Sequence, residues 1–365
     1  MAVTVPMSLS LLGPRVPRLV DLGWEVHVVV GEPVPERYLQ DVRAIVHVIP
    51  MRRSIAPAAD LRALVMWLAL IGKVRPTHVW AATPKAGLLG MLAGRMRRTP
   101  RRVIEIWGLR WEGMAGIQAA LLRASDWICC RFATDVVAVS ASLAVRLRQS
   151  GLVTREAVVL ANGGTKGVDV DRFVPRAPRV RGMSGDALRV GFLGRLAHDK
   201  GLADLLVVAD LVHRLDPTVE FVLAGDWDEA DPPNSTVRSA LVSRPNVRLM
   251  GHIDDVPGYL QSLDLLCFPS HREGLPNAVI EAAACGVPVV GWRVTGTCDV
   301  IRDGVTGYLV PLGQHQAMAD AIMSILTDPA THARMAGSAR AHACDRFPET
   351  LVVDAFLAYL GAQSD

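Results

Sequence analysis

The sequence predicts an α/β protein built from two parallel sheets, each with helices on both faces. Its 365 residues suffice for two or three domains, and half of them are hydrophobic, which excludes a disordered chain. Short apolar strand-like runs alternate with helix-like stretches along the chain, and this βαβα order is typical of a parallel sheet. A break near residue 165 divides the alternation into two sets of similar size.

The first set of strand-like runs occupies the N-terminal half. The predicted strands are residues 26–30, 45–49, 78–82, 103–106, 135–139 and 158–160, and the predicted helices between them are 14–22, 58–74, 86–97 and 113–131. Residues 3–5 have the apolar character of a strand end. Because almost nothing precedes them, this first strand is either stunted or continued by residues upstream.

A glycine-rich segment, residues 162–169, marks the domain boundary, and a stretch rich in Pro and Arg follows it to residue 185. Beyond it, strands are predicted at 189–192, 220–224, 247–250, 263–268, 287–291 and 306–310. We therefore predict domains over 1–165 and 166–345, with a last helix within 346–365. Ligands of such sheets bind beyond the carboxyl ends of the strands, so two facing domains would hold a ligand in the cleft between them.

The net charge of +3 conceals an uneven distribution of charge. Residues 1–165 contain 21 Lys and Arg against 11 Asp and Glu, whereas the remainder contains 18 against 25. A basic half predicts an anionic partner, either nucleic acid or an anionic membrane surface, although a cationic run is also typical of an ordinary solvated face. The densest run, 95–102, has no interleaved aromatic residues, and no nucleic-acid-binding signature is present, which argues against nucleic acid.

Three further features bear on the compartment. The longest apolar run, residues 63–72, is too short to span a bilayer, and the first residues lack the basic segment of a signal peptide. The six cysteines show no disulfide or metal-binding spacing, so we expect buried thiols in a reducing compartment. We therefore expect a cytoplasmic protein attached peripherally to the inner face of the cell membrane.

The most informative motif is a pair of glutamates eight positions apart, Glu273 and Glu281, on either side of a predicted helix start. Pro276 suits the first position of that helix, and the N–H groups of its first turn form an anion site. The two acids could then hold hydroxyl groups on either side of a diphosphate, which is the layout of a nucleotide sugar. Alternatively, this is a buried αβ unit whose acids are surface or capping residues.

A second motif follows the predicted strand at 189–192. A glycine turn at Gly194 is followed by two cations five positions apart, Arg195 and Lys200. Glycine permits close approach of the backbone to a ligand, and the two cations can neutralise a diphosphate. The alternative is a pair of surface cations at a helix start.

The run from Arg272 to Asn277, together with Glu281 and Gly286-Val287-Pro288, resembles the donor-site signature of retaining glycosyltransferases of the GT-B fold, family 4. Within that family, the sequence is similar to bacterial enzymes of polysaccharide and lipid-linked glycan synthesis. The resemblance is weaker in the N-terminal half. It implies a GT-B architecture with the last helix crossing back onto the first domain. It also implies a UDP-linked sugar as donor and a polyprenyl-diphosphate-linked sugar as acceptor.

The resemblance assigns roles to individual residues. Arg195, Lys200 and Glu273 are expected to be catalytic. Expected to bind the donor are Gly194, Ile253, Gly274, Leu275, Pro276, Asn277 and Glu281, and expected to bind the acceptor are Pro6, Lys85, Trp107 and Arg110. Related enzymes usually have His or Arg where Trp107 stands, so either Arg110 compensates or acceptor recognition differs.

No cofactor or metal ion is expected. Asp226-Trp227-Asp228 invites comparison with the metal-chelating Asp-x-Asp of another transferase fold, but the resembled family carries a similar turn without a metal. No residue suggests itself as a nucleophile, so retention would proceed by departure and attack on one face of the sugar. Two other functions remain open, namely a nucleotide-sugar epimerase of the same fold and a non-catalytic nucleotide-sugar-binding partner of another transferase.

Overall fold

The computed structural model describes residues 1–35, 43–51, 56–176 and 187–362. The chain forms two compact units. The N-terminal unit comprises Met1–Lys166 and Thr350–Asp365, and the C-terminal unit comprises Gly167–Glu349. Each unit contains a sheet of parallel strands with helices on both faces, which confirms the fold class predicted from the βαβα order.

The N-terminal unit contains five strands among the described residues: β1 (His27–Val30), β2 (Ile45–Val48), β3 (His78–Ala82), β4 (Arg101–Ile106) and β5 (Asp135–Ala138). Its helices before the boundary are a short 3-10 helix (Pro6–Leu11), α1 (Arg15–Asp21), α2 (Pro57–Val74), α3 (Pro84–Met96), α4 (Gly116–Phe132) and α5 (Ala141–Gln149). Strand β1 pairs with β2, and β4 pairs with both β3 and β5. The strand predicted at 158–160 was wrong, because only Val158 bridges to β5.

The first residues of the chain lie between β1 and β3. Ala2 forms parallel bridges to Val29 and Ala81, and its N–H donates to the carbonyl of Trp80 at 2.9 Å. This short extended segment therefore joins the β1–β2 pair to the three-stranded β3–β4–β5 sheet. The strand end predicted at residues 3–5 is thus placed at the centre of the unit.

Both faces of the N-terminal sheet are covered. On one face, α1 packs its apolar side chains against Val28, Trp80 and Val103. On the other face, α3 approaches β4 so closely that a Cβ on Gly87 would lie 2.6 Å from Ile104 Cδ1. The glycines of α3 therefore permit the close helix–sheet contact that positions the start of that helix.

The C-terminal unit contains a six-stranded parallel sheet in the order β11-β10-β9-β6-β7-β8. The strands are β6 (Arg189–Leu193), β7 (Glu220–Ala224), β8 (Val247–Gly251), β9 (Leu265–Phe268), β10 (Val289–Trp292) and β11 (Gly307–Val310). The helices are α6 (Leu202–Leu215), α7 (Ser235–Ser243), α8 (Val256–Gln261), α9 (Asn277–Ala284), α10 (Thr297–Val300), α11 (His315–Thr327) and α12 (Pro329–Arg346), with a 3-10 turn at His198–Lys200. Every strand predicted in this half is present, with ends shifted by at most two residues.

Successive residues of the C-terminal strands enter different cores. Phe221 and Leu223 of β7 pack on one face with α6 and α11, whereas Val222 and Ala224 pack on the other face with α8 and α9. This alternation follows from the two-residue period of a strand. A strand buried on both faces requires a continuous apolar run, as β7 and β9 have.

The last helix, α13 (Glu349–Leu360), belongs almost entirely to the N-terminal unit. Phe356 stacks edge-on against Trp80, with ring centroids 4.9 Å apart, and the Tyr359 hydroxyl donates to Asp135 at 3.0 Å. The chain thus returns to its first unit, as the resemblance implies.

A buried ion pair ties α1 to the N-terminal sheet. Arg15 Nη1 donates to both carboxylate oxygens of Glu105, at 2.9 and 3.1 Å, and both side chains are fully buried. Trp80 Nε1 donates to Glu105 at 2.9 Å, and Arg15 Nη2 donates to the carbonyl of Gly164 at 3.2 Å. This network connects α1, two strands and the end of the unit.

Some expectations about the chain are only partly met. Cys129, Cys267 and Cys285 are buried, as expected, but Cys298 is exposed. None of the helices in the described ranges combines the length and the apolar character needed to cross a bilayer.

We predict that Arg15→Met lowers the free energy of unfolding by about 3–5 kcal/mol, because it leaves the Glu105 carboxylate buried without its partner. The exposed Arg18 lies in the same helix, and Arg18→Met should change stability by less than about 0.5 kcal/mol. Urea unfolding followed by circular dichroism measures both variants. Equal effects of the two substitutions would contradict the role given to the buried pair.

A second prediction concerns Asp126 of α4, which accepts from Trp111 Nε1 at 3.0 Å and whose pKa burial raises to about 6. Since the folded state holds this proton more tightly than the unfolded state, wild-type stability falls as the pH rises towards that pKa. The Asp126→Asn variant has no carboxyl group at this position, so it does not lose stability in this way as the pH rises. Its stability relative to wild type should rise by about 2 kcal/mol between about pH 4.5 and about pH 8.

The matched control for this prediction is Asp171→Asn, which alters an exposed aspartate. Its stability relative to wild type should stay flat over the same pH range. If the two variants showed the same pH dependence, burial of Asp126 would not be the cause.

Candidate active site

The two loops that follow β6 and β9 form the candidate site of the C-terminal unit. These strands are neighbours in the sheet, so their carboxyl ends open at the same edge. The loop after β6 carries Arg195 and Lys200, and the loop after β9 carries Glu273. Residues that are 73 positions apart in the sequence are therefore brought together by strand order.

Lys200 and Glu273 are in direct contact. Lys200 Nζ donates to Glu273 Oε1 at 2.5 Å, and the two side chains are only 15% and 12% exposed. An ion pair shielded from water in this way is stronger than a surface pair. The structure thus places a cation and a carboxylate side by side at this edge of the sheet.

Asp199 joins the two loops. Its carbonyl accepts from the N–H of His271 at 3.0 Å, and its carboxylate accepts from Arg272 Nη2 at 2.8 Å. Gly201, at φ +70°, lies so close to the other loop that a Cβ there would be 1.9 Å from the Pro269 carbonyl oxygen. Only glycine fits this approach, which fixes Lys200 relative to Glu273.

Arg195 lies on the same edge but is already engaged. Its guanidinium forms an ion pair with Asp228 and lies 4.0 Å from Asp199. Gly194 precedes it at φ +155°, and a Cβ on Gly225 would collide with the Gly194 carbonyl oxygen at 1.9 Å. Arg195 is thus positioned next to the site. Any bound diphosphate would have to share the Arg195 guanidinium with Asp228.

Asp204 stabilises the loop that carries Glu273. It lies in the first turn of α6 and accepts hydrogen bonds from His271 Nε2 and from His315 Nε2, the latter at 2.6 Å. Burial opposes ionisation of this carboxyl, but the two histidines outweigh that effect, and the pKa of Asp204 lies below its usual value. The loop carrying Glu273 is therefore anchored to α6 and α11.

The helix after the loop begins one residue later than expected. Pro276 is the N-terminal capping residue of α9, with extended backbone, and Asn277 is the first helical residue. The prediction that Pro276 occupies the first helical position was therefore wrong by one residue, because Pro276 itself has the extended backbone of a capping residue. The N–H groups of the first turn still open at the edge that holds Glu273.

The remaining predicted donor residues lie at or near the same edge of the C-terminal sheet. Glu281 lies in the middle of α9 and is 9% exposed. Ile253 follows β8 and packs partly against the core that α9 also covers. Gly274 and Leu275 lie in the Glu273 loop, and the Gly274 carbonyl oxygen would be 2.4 Å from a Cβ on Gly296, a glycine at φ +79°.

The Asp226-Trp227-Asp228 turn uses its acids in protein contacts. Asp228 pairs with Arg195, and Asp226 lies 3.5 Å from His252. Among the residues whose structure is described, no cluster of three or more His, Cys, Asp and Glu could hold a metal ion. That catalysis needs no metal nevertheless stays a prediction.

Three of the predicted acceptor residues lie at the carboxyl edge of the N-terminal sheet. Lys85, in the first turn of α3, pairs with Asp60 at 2.6 Å. Trp107 and the exposed Arg110 follow β4, and the buried Nε1 of Trp107 has no hydrogen-bond partner in the described part of the chain. Pro6 begins the 3-10 helix, but its side chain lies outside the described residues.

Sequence reasoning missed Thr83, which immediately precedes α3. It has φ +69°, which is strained for a β-branched residue, and its hydroxyl lies 2.8 Å from that of Thr4. Asp199 and Asp204 were also missed, although Asp204 follows Lys200 by four residues and His271 precedes Glu273 by two. Those spacings were the only available signal, and neither identifies a partner without the strand order.

Two family models match separate halves of the chain. Residues 16–163 match the model described as a glycosyl transferase 4-like domain. Residues 187–328 match the model described as glycosyl transferases group 1. The second match contains both candidate loops of the C-terminal unit.

Related proteins align over most of the chain. The capsular polysaccharide biosynthesis glycosyltransferase CapM of Staphylococcus aureus is 29% identical over 355 residues, which cover 96% of this chain and 93% of that protein. The UDP-Gal:alpha-D-GlcNAc-diphosphoundecaprenol alpha-1,3-galactosyltransferase of Escherichia coli is 22% identical, and the alignment covers 80% of this chain and 77% of that protein.

Solved structures show the same architecture. Anabaena Alr3699/HepE in complex with UDP-glucose superposes with a TM-score of 0.80 at 20% identity, over 99% of this chain and 98% of that one. Sucrose-phosphate synthase from Thermosynechococcus elongatus gives a TM-score of 0.77 at 20% identity, over 95% and 91% of the two chains. With the family matches and the two parallel sheets, these similarities establish that the chain is a glycosyltransferase of the GT-B fold.

Proposed function

We propose that this enzyme is a retaining, family 4 glycosyltransferase that moves a sugar from a UDP-sugar to a lipid-linked saccharide in bacterial surface polysaccharide or glycan synthesis. The observation that carries the proposal is the Lys200–Glu273 pair, which joins a cation and a carboxylate at the carboxyl edge of the sheet. The names of the relatives support donor and acceptor. CapM acts in capsular polysaccharide biosynthesis, and the E. coli enzyme name specifies UDP-Gal and a diphosphoundecaprenol acceptor.

The proposed roles follow the positions of the side chains. Lys200 and Arg195 stabilise the negative charge that builds on the diphosphate as its bond to the sugar breaks. Glu273 binds hydroxyls of the sugar, and Glu281 binds those of the ribose. The donor is also held by main-chain and side-chain contacts from Gly194, Ile253, Gly274, Leu275, Pro276 and Asn277.

The proposed reaction proceeds on one face of the sugar. The bond between the anomeric carbon and the diphosphate breaks, the acceptor oxygen bonds to that carbon from the same side, and the acceptor proton passes to a diphosphate oxygen. No enzyme nucleophile is needed, since Glu273 is held by Lys200 and serves to bind hydroxyls. Neither a cofactor nor a metal is required, because fixed cations and the first turn of α9 supply the positive charge.

The N-terminal unit is proposed to bind the acceptor. Lys85 at the start of α3 and Arg110 after β4 are proposed to contact phosphate groups of the acceptor, and Trp107 and Pro6 are proposed to contact the acceptor beside them. The excess of basic residues in this unit favours an anionic membrane surface as a further partner, with the protein attached peripherally to the inner face of the cell membrane.

The decisive experiment incubates the pure protein with radiolabelled UDP-sugars and a short-chain, lipid-diphosphate-linked sugar. We expect labelled product with at least one donor, release of UDP that depends on the acceptor, and unchanged transfer in excess EDTA. UDP-sugar interconversion without acceptor would instead indicate an epimerase. Absence of both transfer and UDP binding by calorimetry would refute the proposal, and loss of transfer in EDTA would refute its metal-independent part.

A paired substitution tests the two roles in the ion pair. Lys200→Ala should lower kcat by about 10²–10³-fold and weaken UDP binding, since it removes the cation next to the diphosphate. Glu273→Gln should also lower transfer, but UDP should bind at least as tightly as to wild type, because Lys200 no longer has a competing carboxylate. Kinetics and calorimetry measure the two effects separately.

Glu229→Gln, which alters a glutamate that is 76% exposed, is the matched control and should leave both quantities unchanged. A parallel loss of UDP affinity in the Glu273 and Lys200 variants would contradict the proposed division of roles.

A further inference from the structure

Helix α4 turns an apolar stripe towards solvent. Ile117 is 81% exposed, Leu121 is 50% exposed and Trp127 is 51% exposed. Ile117 and Leu121 are four residues apart and lie on the same side of the helix, and Trp127 lies about 80° around the helix axis from Ile117. The fully buried side of α4 is formed instead by Asp126 and Cys129. Helix α4 therefore exposes large apolar side chains in addition to the side chains it buries.

The two neighbouring helices extend this surface. Helix α2 packs beside α3, and α3 packs beside α4, so the three form one layer on the N-terminal sheet. On α2, Leu61 and Val65 are 64% and 59% exposed and are four residues apart. Met96 at the end of α3 is 57% exposed. We name the exposed surface of these three helices, including the loops between residues 57 and 132, the three-helix face.

The exposed charges of the three-helix face all have the same sign. Between residues 57 and 132, nine charged side chains are exposed and every one is a cation: Arg62, Lys73, Arg75, Arg95, Arg97, Arg98, Arg110, Arg123 and Arg131. The four carboxylates of this segment are buried or half-buried, and each has a partner: Asp60 with Lys85, Glu105 with Arg15, Glu112 with Arg146, and Asp126 with Trp111. The surface therefore combines exposed apolar side chains with an excess of exposed positive charge.

We propose that the three-helix face docks on an anionic lipid bilayer, with Ile117, Leu121 and Trp127 entering the interface and the surrounding cations contacting lipid phosphates. Apolar stripes flanked by Arg and Lys, with Trp at the boundary, are the composition of helices that lie in a membrane surface. This inference rests on the proposed function, because a lipid-linked acceptor would have to be taken from that membrane.

The charge pattern favours lipid over other occupants. A second copy of the chain would bring the same cations against each other if the two faces met symmetrically. Nucleic acid would use the cations but would leave the aliphatic stripe of α4 without a partner. An anionic bilayer satisfies both features at once.

Docking in this orientation would also serve the proposed acceptor residues. Helix α3 is the middle helix of the face, and its first turn carries Lys85. The edge of the sheet where Lys85, Trp107 and Arg110 lie is therefore continuous with one end of the three-helix face. A lipid diphosphate at the bilayer surface would have a short path to that edge.

Vesicle sedimentation of the full chain, without any nucleotide sugar, tests the proposal. Phosphatidylcholine vesicles with and without phosphatidylglycerol are the probes. We expect binding only to the anionic vesicles, and we expect that it weakens as sodium chloride is added. Replacement of Ile117 and Trp127 together by Ser should weaken binding by about tenfold or more. Arg62→Glu with Arg131→Glu should weaken it further, since each cation contributes about fivefold near an anionic surface.

Matched controls are available in the C-terminal unit. Val242 is 67% exposed and Leu215 is 54% exposed, and their joint replacement by Ser should leave vesicle binding unchanged. Arg214→Glu at another exposed position should have less effect than either charge reversal on the three-helix face. Transfer to the short-chain acceptor should be normal in all of these variants, so a docking defect is distinguishable from loss of catalysis.

Three outcomes would overturn the proposal. Equal binding to neutral and anionic vesicles would exclude the charge argument, and equal losses in the Ser variants of the two units would exclude a specific face. A dimer seen by analytical ultracentrifugation that the Ile117 and Trp127 substitutions dissociate would show that a second copy covers the face instead. Failure of transfer with intact vesicle binding would refute the proposed function and leave the docking surface standing.

Discussion

The contact between the loops after β6 and β9 determines the geometry of the candidate active site. Asp199 holds the backbone of His271 and the side chain of Arg272, and Gly201 allows the two loops to touch. Because β6 and β9 are adjacent parallel strands, no long excursion of the chain is needed to bring these loops together. Asp204 then fixes His271 from the other side. Lys200 and Glu273 are therefore positioned by main-chain contacts and supporting side chains before any ligand is bound.

Much of the fold and several site residues could be predicted from sequence. Apolar runs of suitable length identified all six strands of the C-terminal sheet, most clearly β7, β9 and β10, which are buried on both faces and have few other possible patterns. The Glu273 and Lys200 motifs could be recognised singly from glycine turns and helix starts. Their mutual contact could not, since it depends on the order β9-β6 in the sheet, which local sequence does not encode.

The missed features all depend on tertiary packing, which local sequence does not encode. Thr83 adopts a positive φ because Thr4 and the start of α3 constrain it, and propensity argues against such a conformation for threonine. Asp228 pairs with Arg195, which an Asp-x-Asp pattern alone does not reveal. The exposed stripe of α4 has the apolar content of a core helix, so periodicity indicated a helix but gave no indication of which side faces solvent.

The ion pair between Lys200 and Glu273 has a consequence for selectivity under the proposed roles. Lys200 and Glu273 neutralise each other, so inorganic anions gain little by displacing the carboxylate. A nucleoside diphosphate alone would separate the pair and leave the Glu273 carboxylate without a partner in a poorly hydrated position. The complete nucleotide sugar offers phosphate to Lys200 and hydroxyls to Glu273. The same arrangement would then favour loading of the intact donor and expulsion of the spent nucleotide after each turnover.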